Sequence, residues 1–232
     1  MNLEMFSMEK LCKALADKIA LELNLDNDKR EVIAYGAFAI LHMLLSIILV
    51  IIFGALFNVL VEALIISLTI SILRKYSGGV HASTPGICAA IGTIVCIGLA
   101  LGAVIVSSMA SLNLLLILGC IVFIWSYHII YKFAPVDSLA KPIKKTEKRK
   151  RMKKGSIFIL SFYLIIEIIN IVVYVVTGNK NFIVYLICIY LGVIWQVFTL
   201  TASGSYVVGK IDSFLNHIQS FIGRRIQNER IN

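Results

Sequence analysis

The sequence is poor in charge, in proline and in acidic residues. Only 15% of its 232 residues are charged, whereas about a quarter are charged in a typical soluble domain. Hydrophobic residues make up 59% and prolines number 3, so long apolar segments continue without a helix breaker. These proportions exclude an ordinary soluble globular domain and predict an integral membrane protein.

The sequence also lacks the cysteine and histidine spacings of a metal site or a disulfide framework. Its five cysteines are scattered, and those inside apolar runs are most simply interpreted as packing residues. His42, His128 and His217 have no partners at ligand spacing. We therefore expect no metal and no other cofactor.

The hydrophobic residues fall into six runs, each long enough to cross about 30 Å of hydrocarbon as a helix. The short alternating segments of a transmembrane β-barrel are missing. The expected fold class is therefore all-α, a polytopic membrane protein with six transmembrane helices. The runs lie near residues 33–56, 58–74, 87–107, 111–131, 155–177 and 182–203.

An amphipathic segment flanks the runs at each end of the chain. In both segments apolar residues recur at helical spacing, which predicts two amphipathic helices attached to one membrane domain over residues 1–232. The predicted order is an amphipathic helix (1–30), four spans carrying the candidate site (33–131), a basic loop (132–154), two spans (155–203) and a second amphipathic helix (206–226).

Positive charge alternates between the connections. The segments before the first run and after the second, fourth and sixth hold 5, 2, 10 and 4 Lys or Arg residues, and the other three hold 0, 0 and 1. The positive-inside rule then predicts that both termini and the 132–154 loop are cytoplasmic. Acidic residues precede the first run, so we expect no cleavable secretory signal.

A base and a nucleophile stand close together after the second run. The segment Arg-Lys-Tyr-Ser-Gly-Gly-Val-His covers residues 74–81, and Cys88 follows seven residues after His81. Imidazole titrates near neutral pH and is the usual group that takes the proton of a thiol, whose thiolate is a strong nucleophile. The two residues also fit a polar packing residue and a core thiol, and their spacing alone does not decide.

The order Arg-x-x-Ser-Gly-Gly-x-His, with a Cys seven residues beyond the His, resembles the accessory gene regulator B (AgrB) family, bacterial membrane proteins that process quorum-sensing propeptides. Residues 131–143, YKFAPVDSLAKPI, are similar to the Ala-Pro and Lys-Pro-Ile segment after the fourth span in that family. Chain length, number of spans and the amphipathic N-terminal helix also fit. The resemblance favours the functional interpretation of His81 and Cys88.

The resemblance implies a membrane-embedded cysteine endopeptidase acting on an AgrD-like precursor peptide in a bacterial cell membrane, with the site on the cytoplasmic side. Cys88 would be the nucleophile, and His81 the general base and later the acid. Attack at the C-terminal end of the future signal would release an acidic tail and leave a thioester on Cys88. A thiol or hydroxyl within the peptide would then close a thiolactone or lactone ring, giving an autoinducing peptide.

Four neighbours of this pair each have a functional and a simpler interpretation. Gly78 and Gly79 would supply oxyanion-hole amides or serve only a tight turn. Ser77 would orient His81 or cap a helix. Arg74 would hold a substrate carboxylate or simply mark the end of a span.

Further partners are suggested by charged residues outside the motif. No carboxylate lies within it, so Asp137 and Glu62 are the candidates for a third catalytic member. Residues 141–154, beginning with Lys141, hold nine basic residues in fourteen. This stretch predicts contact with anionic membrane lipid and, given the resemblance, attraction for the acidic precursor tail. It has no interleaved aromatics, so we expect no nucleic-acid partner.

A different class of function also fits the sequence. Six spans with two acids inside apolar runs, Glu62 and Glu167, are compatible with a small peptide transporter or a non-catalytic partner in peptide export. The apolar stripe of the C-terminal segment would allow pairing between chains, so a homodimer is also compatible with the sequence.

Overall fold

The computed structural model describes residues 2–80, 82–137 and 145–229, and eight α-helices account for most of them. Within those residues no strand forms, and one isolated parallel bridge joins Gly78 to Val136. The all-α prediction is confirmed. The helices are α1 (Asn2–Glu22), α2 (Asn27–Leu56), α3 (Leu60–Ser77), α4 (Pro85–Met109), α5 (Leu112–Phe133), α6 (Thr146–Thr177), α7 (Asn181–Phe198) and α8 (Ala202–Glu229).

Five helices, α2 and α4 to α7, are long and apolar enough to cross a membrane, and they correspond to five of the six predicted spans. The second predicted span forms α3, which is not among the five. Its 18 residues hold three charged side chains. Glu62 lies in the first turn, and Arg74 and Lys75 lie in the last turn, where the helix enters the motif. That α3 is a sixth transmembrane helix therefore stays a prediction.

Several helix boundaries differ from the predicted ones. The predicted run 182–203 is divided between α7, which ends at Phe198, and α8, which begins at Ala202. The first amphipathic helix ends at Glu22, and α2 begins at Asn27 because the Asp26 side chain accepts a hydrogen bond from Lys29 N (2.8 Å) and caps the new helix. Helix α6 begins at Thr146, inside the stretch predicted as a basic loop. Lys, Arg and Glu are good helix formers, so a basic stretch beside a span continues the helix.

Helix α3 lies at the centre of the bundle and packs against α2, α4, α6 and α7. Small residues on its neighbours allow close approach: a Cβ on Gly192 of α7 would lie 2.9 Å from Thr69, and one on Gly155 of α6 would collide with the Tyr76 ring. Ile66 and Leu73 are completely buried. The packing fixes α3 along its length, and with it the position of its C-terminal end.

Several connections meet at that end of the bundle. Val136 N, just after α5, donates to Ser77 O at the end of α3 (2.9 Å). Arg149 Nη2, near the start of α6, donates to Pro135 O (3.2 Å). The segments after the second and fourth predicted spans, which carry most of the basic residues, therefore lie together.

The two terminal helices pack on the outside of the bundle. Helix α1 contacts α2, where Arg30 Nε lies 2.8 Å from an Asp17 carboxylate oxygen. Helix α8 contacts α4, and Val208 is buried against Ile87 and Ile91. The C-terminal amphipathic segment thus covers the first turns of α4.

Candidate active site

The glycine pair forms a sharp turn between α3 and α4. Gly78 has φ +70° and ψ −147°, and Gly79 has φ +134°. These conformations strain any residue with a Cβ. A Cβ on Gly78 would also collide with Val136 O, and one on Gly79 would lie 2.9 Å from Thr199 Oγ1. Both glycines are needed for the path of the backbone and for its close contacts.

The two glycines differ in what their amide groups do. Gly78 N donates to Arg74 O (2.9 Å) and so completes the last turn of α3. The tight-turn interpretation therefore describes Gly78, whose N–H is already used. Gly79 remains the candidate for an oxyanion-hole amide.

A buried glutamine holds the start of the turn. Gln196 Nε2, on α7, donates to Ser77 Oγ (3.0 Å) and to Gly78 O (2.8 Å). The Ser77 hydroxyl donates to Leu73 O one turn back in α3 (3.0 Å). Ser77 and Gln196 are both completely buried. Ser77 thus joins α3 to α7 at the C-terminal end of α3. Its hydroxyl does not cap a helix N-terminus, which is the simpler role that the sequence suggested.

Arg74 binds the far side of the same turn. Its guanidinium Nη2 donates to the carbonyl of Val80, and its side chain lines a cavity together with Cys88. Arg74 is therefore more than a basic residue at the end of a helix: it binds the carbonyl of Val80 and lines the same cavity as Cys88.

Cys88 lies in the first turn of α4. The helix begins with Thr84 as its cap, whose hydroxyl accepts from Ile87 N (3.3 Å), and with Pro85 at its first position. Cys88 is partly exposed, whereas Cys12, Cys96 and Cys188 are buried. The N-terminus of α4 has the positive end of a helix dipole, and the guanidinium of Arg74 lines the same cavity as Cys88.

The cavity beside Cys88 has a volume of about 170 Å³. Its walls come from α2, α3, α4, α7 and α8, and they include Val80, Ala82 and Trp195. Val80 and Ala82 are the chain neighbours of His81, and His81 itself lies outside the described residues, as does Lys141. The structure thus brings Arg74, Cys88 and both neighbours of His81 to one cavity.

The candidates for a third catalytic member are placed differently. Asp137 follows the bridge at Val136, and its carboxylate forms an ion pair with Arg149 (3.5 Å). Glu62 lies in the first turn of α3, about 18 Å from Arg74 along the helix. Glu167 is buried in α6. Asp137 therefore lies at the same end of the bundle as the turn, and Glu62 does not.

Sequence reasoning missed three residues that contact the motif: Gln196, Thr199 and Asp212. A signal existed for Gln196, which interrupts an otherwise apolar run in α7, where a polar side chain usually has a partner. Thr199 contacts the turn only because Gly79 leaves room for it. Asp212 accepts two hydrogen bonds from Ser83, and nothing in the sequence pattern indicated that pairing.

Fold and site together define a helical membrane protein with a thiol at a helix N-terminus, beside a glycine turn that neighbouring helices hold in place. The chain belongs to the AgrB family: the family model for accessory gene regulator B matches residues 12–200. An AgrB-like protein of Clostridium perfringens strain SM101 is 44% identical over 213 residues, covering 91% of this chain and 99% of the relative. A protein of C. perfringens strain 13, named AgrB-like protein 2, is 43% identical over 213 residues with the same coverage. No solved structure matches the chain.

Proposed function

We propose that this chain is a membrane-embedded cysteine endopeptidase that cleaves an AgrD-like precursor and promotes its cyclisation in quorum sensing. The observation that carries the proposal is the cavity at the start of α4, where Cys88 is partly exposed beside Arg74 and both chain neighbours of His81. Membership of the AgrB family supports quorum-sensing propeptide processing as the setting.

In the first step His81 takes the proton of the Cys88 thiol, and the sulfur attacks the peptide carbonyl at the C-terminal end of the signal. The C–N bond then breaks, and the amine of the departing tail leaves with the proton from His81. A thioester to Cys88 remains. The amide of Gly79 is the proposed donor to the oxyanion that forms during attack.

In the second step a thiol or hydroxyl inside the bound peptide attacks the thioester carbonyl. The C–S bond to Cys88 breaks, a thiolactone or lactone ring closes, and the proton lost by the attacking group returns to the Cys88 sulfur. Exchange of one thioester for another is nearly balanced in free energy, so the ring can form without ATP if water is kept from the acyl-enzyme. Trp195, Val208 and Ile91 give the cavity apolar walls, which disfavour water there.

The basic residues around the start of α6 are proposed to attract the acidic tail of the precursor and the anionic headgroups of the membrane. Arg149 in this region already pairs with Asp137 and contacts Pro135, so part of the charge fixes the chain locally. Lys148 and Arg151 are exposed in the same helix and are accessible to a peptide.

The proposal predicts that Cys88→Ala and His81→Ala each lower precursor cleavage by at least about a thousandfold, because each removes one half of a nucleophile and base pair. The measurement is cleavage of a purified AgrD-like precursor by the full chain in proteoliposomes, with mass spectrometry of the products. Cys120→Ala changes an exposed thiol that does not line the cavity and is the matched control, which should cleave normally. A covalent thioester between precursor and protein should form in the wild type and in every control that cleaves normally, and should be absent in Cys88→Ala.

Full cleavage by Cys88→Ala would contradict the proposal. Export of the peptide by a Cys88-deficient protein that cleaves nothing would instead favour a transporter or a non-catalytic export partner.

A further inference from the structure

Helix α8 is hydrogen-bonded through Asp212 and Asn216 to Ser83, in the connection that carries His81. Both the backbone N and the hydroxyl of Ser83 donate to Asp212 Oδ1, each at 2.9 Å. Asn216, one turn later, donates through Nδ2 to Ser83 Oγ (2.8 Å) and to Asp212 O (3.0 Å). A residue far from the motif in sequence therefore holds the backbone two positions after His81.

The same helix is tied to the element that carries Cys88. Val208 is 5% exposed and packs against Ile87, the residue immediately before Cys88. Val208 also lines the Cys88 cavity. Asp212 lies four residues after Val208, on the same face of α8, so the packing of Val208 sets the position from which Asp212 reaches Ser83. Helix α8 thus fixes the loop relative to the start of α4.

The loop is held from both sides of His81. On one side Arg74 donates to Val80 O, and on the other Asp212 accepts from Ser83. Only residues 81 and 82 stand between these two attachments. A catalytic group must be held close to its productive geometry, and a displacement of about 1 Å can lower a rate a hundredfold. Loss of either attachment would leave the connection fixed at one end only.

We propose that Asp212 is a positioning residue for the active site, acting through Ser83 to fix the segment that bears His81 relative to Cys88. This inference rests on the proposed function. Asp212 lies outside the part of the chain that the family model matches, because that match ends at residue 200 and α8 begins at Ala202. Oδ1 accepts both hydrogen bonds from Ser83, and Oδ2 accepts a longer one from Asn216 Nδ2 (3.4 Å), so the attachment to Ser83 requires an acceptor at Oδ1 and does not require a charge.

The test compares three variants of the full chain in proteoliposomes, with kcat and KM measured for cleavage of a purified AgrD-like precursor. Asp212→Ala removes the acceptor and should lower kcat about tenfold, with KM within about twofold of the wild type, because the segment loses its anchor while the surface for the peptide is retained. Asp212→Asn keeps an acceptor oxygen and should recover kcat to within about threefold of the wild type. Ser213→Ala, the neighbouring position on α8, is the matched control and should cleave normally.

A double-mutant cycle tests the partner. Ser83→Ala should lower kcat by about threefold in the wild type and have little further effect in Asp212→Ala, since both changes disturb the same attachment. If Asp212→Ala fails to insert, Ser83→Ala and Asp212→Asn decide: a lower kcat for Ser83→Ala together with recovery in Asp212→Asn supports the proposal, and normal kcat in Ser83→Ala overturns it.

Three other outcomes would also overturn the positioning role. They are an unchanged kcat in Asp212→Ala, a loss in Asp212→Asn as deep as in Asp212→Ala, and an effect confined to KM. Cys88→Ala is run beside these variants: if it cleaves, the proposed function itself has failed, and if it is inactive while Asp212→Ala is normal, only the role of Asp212 has failed.

Discussion

At Gly78 the backbone conformation and the neighbouring carbonyl of Val136 leave no room for a side chain. Its φ of +70° with ψ of −147° belongs to a region that glycine alone occupies readily, and its Cα faces the carbonyl of Val136. The parallel bridge between these two residues places the turn against the segment after α5. The position of the connection between α3 and α4 therefore depends on the absence of one methyl group.

This constraint gives a prediction at the residue scale. Gly78→Ala should destabilise the protein by about 1–3 kcal/mol through backbone strain, and should lower precursor cleavage further by pushing Val136 away from the turn. Gly98→Ala is the matched control, because a Cβ there meets nothing within 4 Å and alanine favours a helix. Thermal unfolding in detergent and cleavage in proteoliposomes measure the two effects. An equal, small change in both variants would contradict the constraint.

At the scale of whole helices, the contact between α3 and α7 holds this turn in place. Two completely buried polar residues, Ser77 and Gln196, join the helices where one ends and the other nears its end. Gln196 also binds Gly78 O, so the orientation of α7 is transmitted to the turn through one side chain. A polar pair inside apolar packing fixes a register that apolar contacts alone would leave free to slide.

Replacing the side-chain amide of Gln196 is therefore expected to lower both the stability of the protein and its cleavage activity. Gln196→Leu keeps the volume but leaves Gly78 O and the Ser77 hydroxyl without this donor, which should cost about 1–3 kcal/mol of stability and reduce cleavage. Gln219→Leu makes the same chemical change on the partly exposed surface of α8 and is the control. The midpoint of thermal unfolding should fall in the first variant and stay constant in the second. An unchanged midpoint in Gln196→Leu would show that the hydrogen bonds do not stabilise the contact.

Sequence patterns predicted the elements better than their contacts. Apolar runs and amphipathic spacing predicted eight helical segments in the right order, because burial in lipid or on a helix face leaves a period in the sequence. The start of α6 at Thr146 was missed because its first residues are charged, and charge alone does not distinguish a loop from a helix end. The motif placed Cys88 near the turn, but Gln196 and Asp212 were not assigned to it, since contacts over more than a hundred residues leave no local pattern.

At the scale of the whole molecule, the charged connections gather at one end of the bundle. The end of α3, the start of α4, the segment after α5 and the start of α6 all meet there, while the connection between α6 and α7 lies some thirty residues along α6 from that end. A 32-residue helix spans about 48 Å, enough to cross the hydrocarbon with several turns to spare. The charge pattern and the packing are therefore consistent with one orientation in the membrane.

That orientation can be measured in intact bacteria. In a background without the five native cysteines, a cysteine introduced as Lys180→Cys should react with a membrane-impermeant maleimide from outside, because the positive-inside rule predicts that this connection is external. Ser213→Cys on α8 should react only after the cells are permeabilised. Labelling of both sites in intact cells, or the reverse pattern, would contradict a cytoplasmic active site.

The contact between Gln196 and the turn also has a consequence for synthesis of the chain. Ser77 and Gly78 accept hydrogen bonds from a residue 119 and 118 positions later, and Ser83 donates to one 129 positions later. Because the ribosome adds residues from the N-terminus, Cys88 is made and inserted well before α7 and α8 exist. The turn can take its final shape only when translation is nearly complete, so a nascent or truncated chain carries the thiol without the geometry described here.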